Sequence, residues 1–166
     1  INGPAYSEIM DGKNLVADIL PPPGYIIEPF QISLEMLGER NPAKIKQSIR
    51  DLRTLEAAYI ARHEYWSEHL PPGEIKKKMV DDSFIPAMQF FDDLNAEFIP
   101  AMERGDYETA ERVAYESLRV HYQEHRHVID DIVVLATEQN QINEENAKKK
   151  ESDIYLGMAA ITVILL

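Results

Sequence analysis

The side chains able to do chemistry are few and unevenly placed. His121 and His125 stand four residues apart, a spacing that puts two imidazoles on one helix face where they can bind a metal. His63-Glu64 begins like the zinc-protease signature, but Ser67 stands where the second histidine is required. Tyr122 occupies the place, three before His125, that a di-iron bundle fills with Glu. There is no phosphate loop, no G-x-S-x-G elbow and no G-x-G-x-x-G turn. Cysteine is absent, which removes disulfides, thiolate zinc sites and cysteine nucleophiles together. No catalytic activity is therefore expected, and what is left is recognition. Arg62 and Arg126 can hold a carboxylate through paired N–H donors. Asp18 and Glu28 can hold an ammonium group or neutralise those arginines.

Helices must position these groups. The chain has 166 residues, enough for one domain with a real core. Its 45% hydrophobic content and seven Gly argue against a disordered chain or a Gly-rich β protein. The net charge of −12 repels phosphate backbones, so no nucleic-acid partner is expected. Three breaks punctuate the sequence. Gly38 suits a helix C-cap, Asn41 an N-cap and Pro42 the first helical position. Pro71-Pro72-Gly73 is the second break, and Arg104-Gly105-Asp106 the third, with Asp106 as an N-cap. Four helical segments result, about 3–38, 42–70, 74–103 and 106–154. Their apolar residues recur at helical spacing: Ile45, Ile49, Leu52, Leu55, Tyr59 and Trp66 in the second segment, Phe84, Met88, Phe91, Phe98 and Met102 in the third, and Leu118, Tyr122, His125, Ile129, Ile132 and Ala136 in the fourth. The one short strand candidate is Tyr25-Ile26-Ile27. Four stripes and three tight turns predict an all-α, up-down-up-down four-helix bundle. Pro21-Pro22-Pro23 must break its first helix, opening either a plain loop or space for a ligand.

In such a bundle, partners lie equidistant from the turn that joins their helices. Asp18 then faces His63 and Pro22 faces Tyr59; Tyr59 faces Phe84 and His63 faces Val80; Phe84 faces His125 and Val80 faces Ile129. One level gathers the proline break, Tyr25 at its end, Tyr59, Arg62, His63, Phe84 and His125. Trp66, Asp82, Tyr122 and Arg126 lie within about a turn of it. Aromatic walls, a few charges and irregular backbone suit a small polar pocket. A buried salt-bridge cluster is the competing reading of the same residues.

Two segments bear on what surrounds the bundle. From Thr137 to Asp153 the chain is very polar, which suits a solvated helical stalk, or more plainly a frayed helix or linker. From Tyr155 to Leu166 it is apolar and uncharged, shorter than the roughly 20 residues a membrane span needs. Residues 155–166 are expected to be the start of a truncated transmembrane helix, in an excised fragment that begins at Ile1 without Met.

Gly3-Pro-Ala-Tyr6, followed by Gly12-Lys-Asn-Leu-Val-Ala-Asp-Ile-Leu-Pro-Pro-Pro-Gly-Tyr-Ile-Ile-Glu28, resembles the start of the extracytoplasmic sensor region of bacterial methyl-accepting chemotaxis proteins. Arg62-His-Glu-Tyr-Trp66 and His121-Tyr-Gln-Glu-His-Arg126 sit where similar proteins carry comparable segments. Gly24 and Pro29 depart from the family's pattern. The resemblance implies a homodimeric receptor of the bacterial inner membrane, anchored through flanking helices, with this domain in the periplasm. A small ligand, with a slight preference for a carboxylate, would bind at the level just described and displace the last helix to signal to a cytoplasmic module. No cofactor is expected. A histidine kinase or cyclase receptor could carry the same module. Other classes are a metal- or haem-binding bundle using His63, His121 and His125, and a pure interaction bundle.

Overall fold

A computed structural model of the chain describes residues 25–164, with side chains through Lys150 and at Ser152 and Asp153. Asp18 and the proline run lie outside the described residues. Two compact units divide the chain: Asp18–Val133, and a second made of Ile1–Ala17 with Val134–Leu166. Among the described residues the fold is all-helical, without a strand, and comprises four helices.

Helix α1 is Ile27–Gly38. Pro29 sits in its first turn, where a backbone N–H has no intrahelical partner, so the ring costs little there. The strand candidate Tyr25-Ile26-Ile27 is instead a bend and a turn running into this helix. Two long β-branched side chains do not make a strand without a neighbour to pair with. Gly38 is not a left-handed cap either; it remains helical, and extended Glu39 ends the helix with its N–H on the Met36 carbonyl. Helix α2 is Pro42–His69. Asn41 caps it, accepting from the Ala43 N–H at 2.9 Å. Leu70 closes it in extended geometry, and Pro71 cannot continue it.

Helix α3 covers 74–104 and changes winding twice. Its α-helical parts are Glu74–Lys77, Phe84–Asp93 and Ile99–Arg104, joined by wider π turns at Lys78–Asp82 and Leu94–Phe98. Each π turn comes just before a proline, Pro86 and Pro100. A proline lacks an N–H and its ring collides with the carbonyl four residues earlier. Widening the preceding turn shifts the bonding by one residue, as in Ser83 N–H to Lys78 O at 2.8 Å, and relieves that collision. Gly105, at φ 73°, ends α3 in the left-handed region that glycine tolerates. Asp106 then caps α4 by accepting from the Thr109 N–H at 3.1 Å. Helix α4 runs over 107–164 as Tyr107–Val113, a π turn Ala114–Leu118 and Arg119–Ile164. No proline accounts for this third π turn. The polar stretch 137–153 is helical, within the segment expected over 106–154, and the helix continues past 154.

Within Asp18–Val133, α2 and α3 are antiparallel, as are α3 and α4, with partners equidistant from each turn. Tyr59 meets Phe84 and the His63 ring meets the Val80 carbonyl across the α2–α3 turn. Glu97 meets Arg112 at 3.6 Å, and Lys78 meets Asp131 at 3.0 Å, across the α3–α4 turn. The main core gathers Met36, Ile45, Ile49, Leu52, Phe90, Phe91, Leu94, Phe98, Met102, Val113 and Leu118, all buried. Each such large side chain contributes about 1.5–3 kcal/mol on burial. Among the described residues no helix is long and apolar enough to cross a membrane. The expected membrane segment 155–166 has no described side chains, and Leu165 and Leu166 lie outside the described residues.

Candidate functional site

The first π turn of α3 organises the expected level. Two histidines from the neighbouring helices reach carbonyls at and beside it. His63 Nε2 lies 2.9 Å from Val80 O, and His125 Nδ1 lies 2.9 Å from Ser83 O. A carbonyl only accepts, so both nitrogens carry the proton and the tautomers are fixed. His125 is fully buried. Ser83 is buried too, and its hydroxyl donates to Met79 O at 2.9 Å.

Aromatic rings fill the space around these imidazoles. His63 stacks on Phe84 with centroids 3.7 Å apart. Tyr59 packs on Phe84, on Phe91 and edge-on against His125 at 5.8 Å. Tyr25 stacks on His125 at 6.2 Å and on Tyr122 at 5.9 Å. The Tyr25 and Tyr122 hydroxyls share a hydrogen bond of 2.9 Å, which ties the segment after the prolines to α4. Phe30 of α1 stacks on Tyr122 at 4.6 Å. Burial and then the bond to Tyr122 push the Tyr25 phenol well above its ordinary pKa, and burial does the same to Tyr59. Both stay protonated at neutral pH and act as hydrogen-bonding walls, not as phenolates.

The two arginines meet different surroundings. Arg62, half-buried on α2, lies over the rings of Tyr65 at 4.9 Å and Trp66 at 5.7 Å. Arg126 lies on the exposed face of α4, pairs with Asp130 at 3.5 Å and has the Tyr25 and Tyr122 hydroxyls beside it. Glu28 is exposed on α1. The level therefore brings together Tyr25, Tyr59, His63, Phe84, Tyr122 and His125. Trp66 is buried on α2, one turn from Arg62. Asp18 lies outside the described residues.

Sequence reasoning missed Ser83 and Phe30, and it set Val80 opposite His63 without the hydrogen bond to its carbonyl. It also missed the Lys78–Asp131 bridge and the His121 Nε2 contact to Asp93 at 3.2 Å. Among the described residues, no group of three or more His, Asp or Glu is arranged to hold a metal ion. A separate cavity of about 270 Å³ opens at the α1–α2 turn, lined by Glu35, Met36, Glu39, Lys44, Gln47 and Ser48. Its Glu39 carboxylate accepts from the Asn41 and Arg40 backbone N–H groups, which hold it below the usual carboxylate range. That carboxylate serves the turn.

No protein-family model matches the chain, and neither does any curated protein or solved structure.

Proposed function

We propose that this chain is the extracytoplasmic sensor region of a bacterial transmembrane chemoreceptor. In this reading it is an up-down-up-down four-helix bundle with a proline break in its first helix and a last helix that leads towards the membrane. It binds a small molecule, preferentially a carboxylate, beside the histidine level, and it has no catalytic role. The receptor is a homodimer of the inner membrane with this region in the periplasm, and a displacement of α4 carries the signal to a cytoplasmic module.

The observation that carries this reading is the hydrogen bond between Tyr25 and Tyr122. It joins the segment just after the proline break to the helix assigned the output. A ligand that favours one arrangement of that contact over another shifts the position of α4 by the difference in its affinity for the two. The resemblance of the Asp18–Pro23 stretch to chemoreceptor sensor regions supports the same assignment.

Isothermal calorimetry with a panel of small carboxylates, amines and neutral compounds tests it. One class is expected to bind the wild-type chain, and Arg62→Ala to abolish that binding while circular dichroism stays helical. Heats indistinguishable from dilution for every class would refute the reading.

A further inference from the structure

The cavity at the α1–α2 turn is separate from the histidine level: from Lys44 on its lining to Tyr59 is roughly 20 Å along α2, at about 1.5 Å per residue. Its volume of about 270 Å³ is just under the roughly 300 Å³ at which pockets for drug-sized ligands begin, so it suits a molecule of a few heavy atoms. Buried Met36 gives it one apolar wall. Its charged lining is two carboxylates, Glu35 and Glu39, against one ammonium, Lys44. Arg40 does not line it; that guanidinium donates to the Leu37 and Glu39 carbonyls and lies over the Tyr107 ring at 3.7 Å.

The Glu39 carboxylate is fixed before any ligand arrives. One oxygen, Oε1, accepts from the Arg40 N–H at 2.9 Å and the Asn41 N–H at 2.8 Å. The other, Oε2, meets Lys44 Nζ at 3.3 Å. This oxygen therefore already holds a primary ammonium, carried on a side chain that is 70% exposed. An ion pair so open to water is held weakly, and a free ammonium can exchange with it. Glu35 supplies the second carboxylate. Its Oε1 accepts from Gln31 Nε2 at 2.9 Å, and its Oε2 has no partner among the described residues. The Gln47 amide is already engaged along α2, donating to Asp51 and accepting from Arg50.

We infer that this cavity binds a small primary ammonium compound, which takes the place of Lys44 Nζ at Glu39 Oε2 and is met by Glu35. Lys44 is then a tethered competitor for the site. The net charge of −12 draws cations to the whole surface and adds to the local choice of sign. This site stands apart from the sensor reading above and does not rest on it.

The Arg40 and Asn41 backbone amides, bonded to Glu39, are local reporters. The ¹⁵N-labelled chain is titrated at constant ionic strength with ethanolamine, and in parallel with ethylene glycol, glycolate and tetramethylammonium. Ethanolamine is expected to shift both amides saturably, at about millimolar affinity, and ethylene glycol and glycolate to leave them in place. Tetramethylammonium, a cation with no N–H to donate, is expected to bind at least about threefold more weakly. Lys44→Ala should tighten ethanolamine by about two- to fivefold, and Glu35→Gln should weaken it by a similar factor. Both side chains are exposed, so neither change threatens the fold. Amides that ignore ethanolamine overturn the inference. Equal shifts with tetramethylammonium mean diffuse cation accumulation and also overturn it. So does Lys44→Ala weakening the amine, or glycolate saturating the same amides. Each of these outcomes leaves the sensor reading standing, because its own test runs through Arg62.

Discussion

Towards the turn that joins α3 to α4, the buried side chains are Phe90, Phe91, Leu94, Phe98, Ile99, Met102, Val113 and Leu118. Around the first π turn of α3 they include His125, Ser83, Tyr59 and Trp66, with His63, Tyr25 and Tyr122 half-buried among them. The same helices thus build one end from apolar volume alone and the other from rings that carry polar atoms. Apolar volume is non-directional and tolerates repacking, whereas a buried imidazole must meet one carbonyl at one distance. The second π turn, before Pro100, lies at the apolar end and attracts no histidine. A widened backbone is therefore not what recruits polar groups; the π turn before Pro86 differs because His63 and His125 reach it.

Breaking each end should give different signatures. The largest effect is expected from Phe98→Ala, which empties a fully buried ring at the apolar end and should cost about 3–5 kcal/mol in urea unfolding. Ligand affinity of the folded protein should stay unchanged. His125→Ala should cost about 2–3 kcal/mol, from the cavity and the lost hydrogen bond to the Ser83 carbonyl, and should change ligand affinity as well. Tyr122→Phe removes only the hydroxyl bonded to Tyr25 and should cost about 1 kcal/mol or less, with a larger effect on ligand response than on stability.

The smallest effect concerns Asp131. The hydrogen bond from Lys78 holds its carboxyl below the ordinary range, and the bridge holds the Lys78 ammonium above its own. A depressed carboxyl pKa adds stability above the unfolded value, and that stability is lost as the pH falls through the lowered one. Asp131→Asn should therefore flatten the acid limb of a Tm-against-pH curve, and should also reduce the stability lost above the ordinary lysine range, where the bridge now holds Lys78 charged. An unaltered acid limb would remove this bridge from the polar end's support.

Much of this architecture was legible because turns are punctuated locally. Asn41 with Pro42, and Asp106 after Gly105, cap the helices they were expected to cap. Tight turns then fix register, which is why Tyr59 meets Phe84 and His63 meets Val80. What was not legible depends on backbone detail. Gly38 looked like a cap, but the extended Glu39 after it ends the helix with no need of a positive φ. Which carbonyls a π turn presents to neighbouring helices has no spacing signature, so the Ser83 and Val80 carbonyls stayed hidden as hydrogen-bond partners. The facing of Arg126 depended on α4's winding after its own π turn, for which the sequence offers no proline. The polar stretch 137–153 has no apolar stripe, but the expected fourth segment, 106–154, already took it as helix, and nothing in it interrupts the helix running from Arg119.

The most direct test of sensing through the last helix is amide hydrogen exchange on the wild-type chain, with and without the tightest binder from the calorimetric panel. Ligand is expected to change protection in α4 around Tyr122–Asp131 more than around Met102–Leu118. Change confined to the apolar end, or no compound that binds at all, would contradict it.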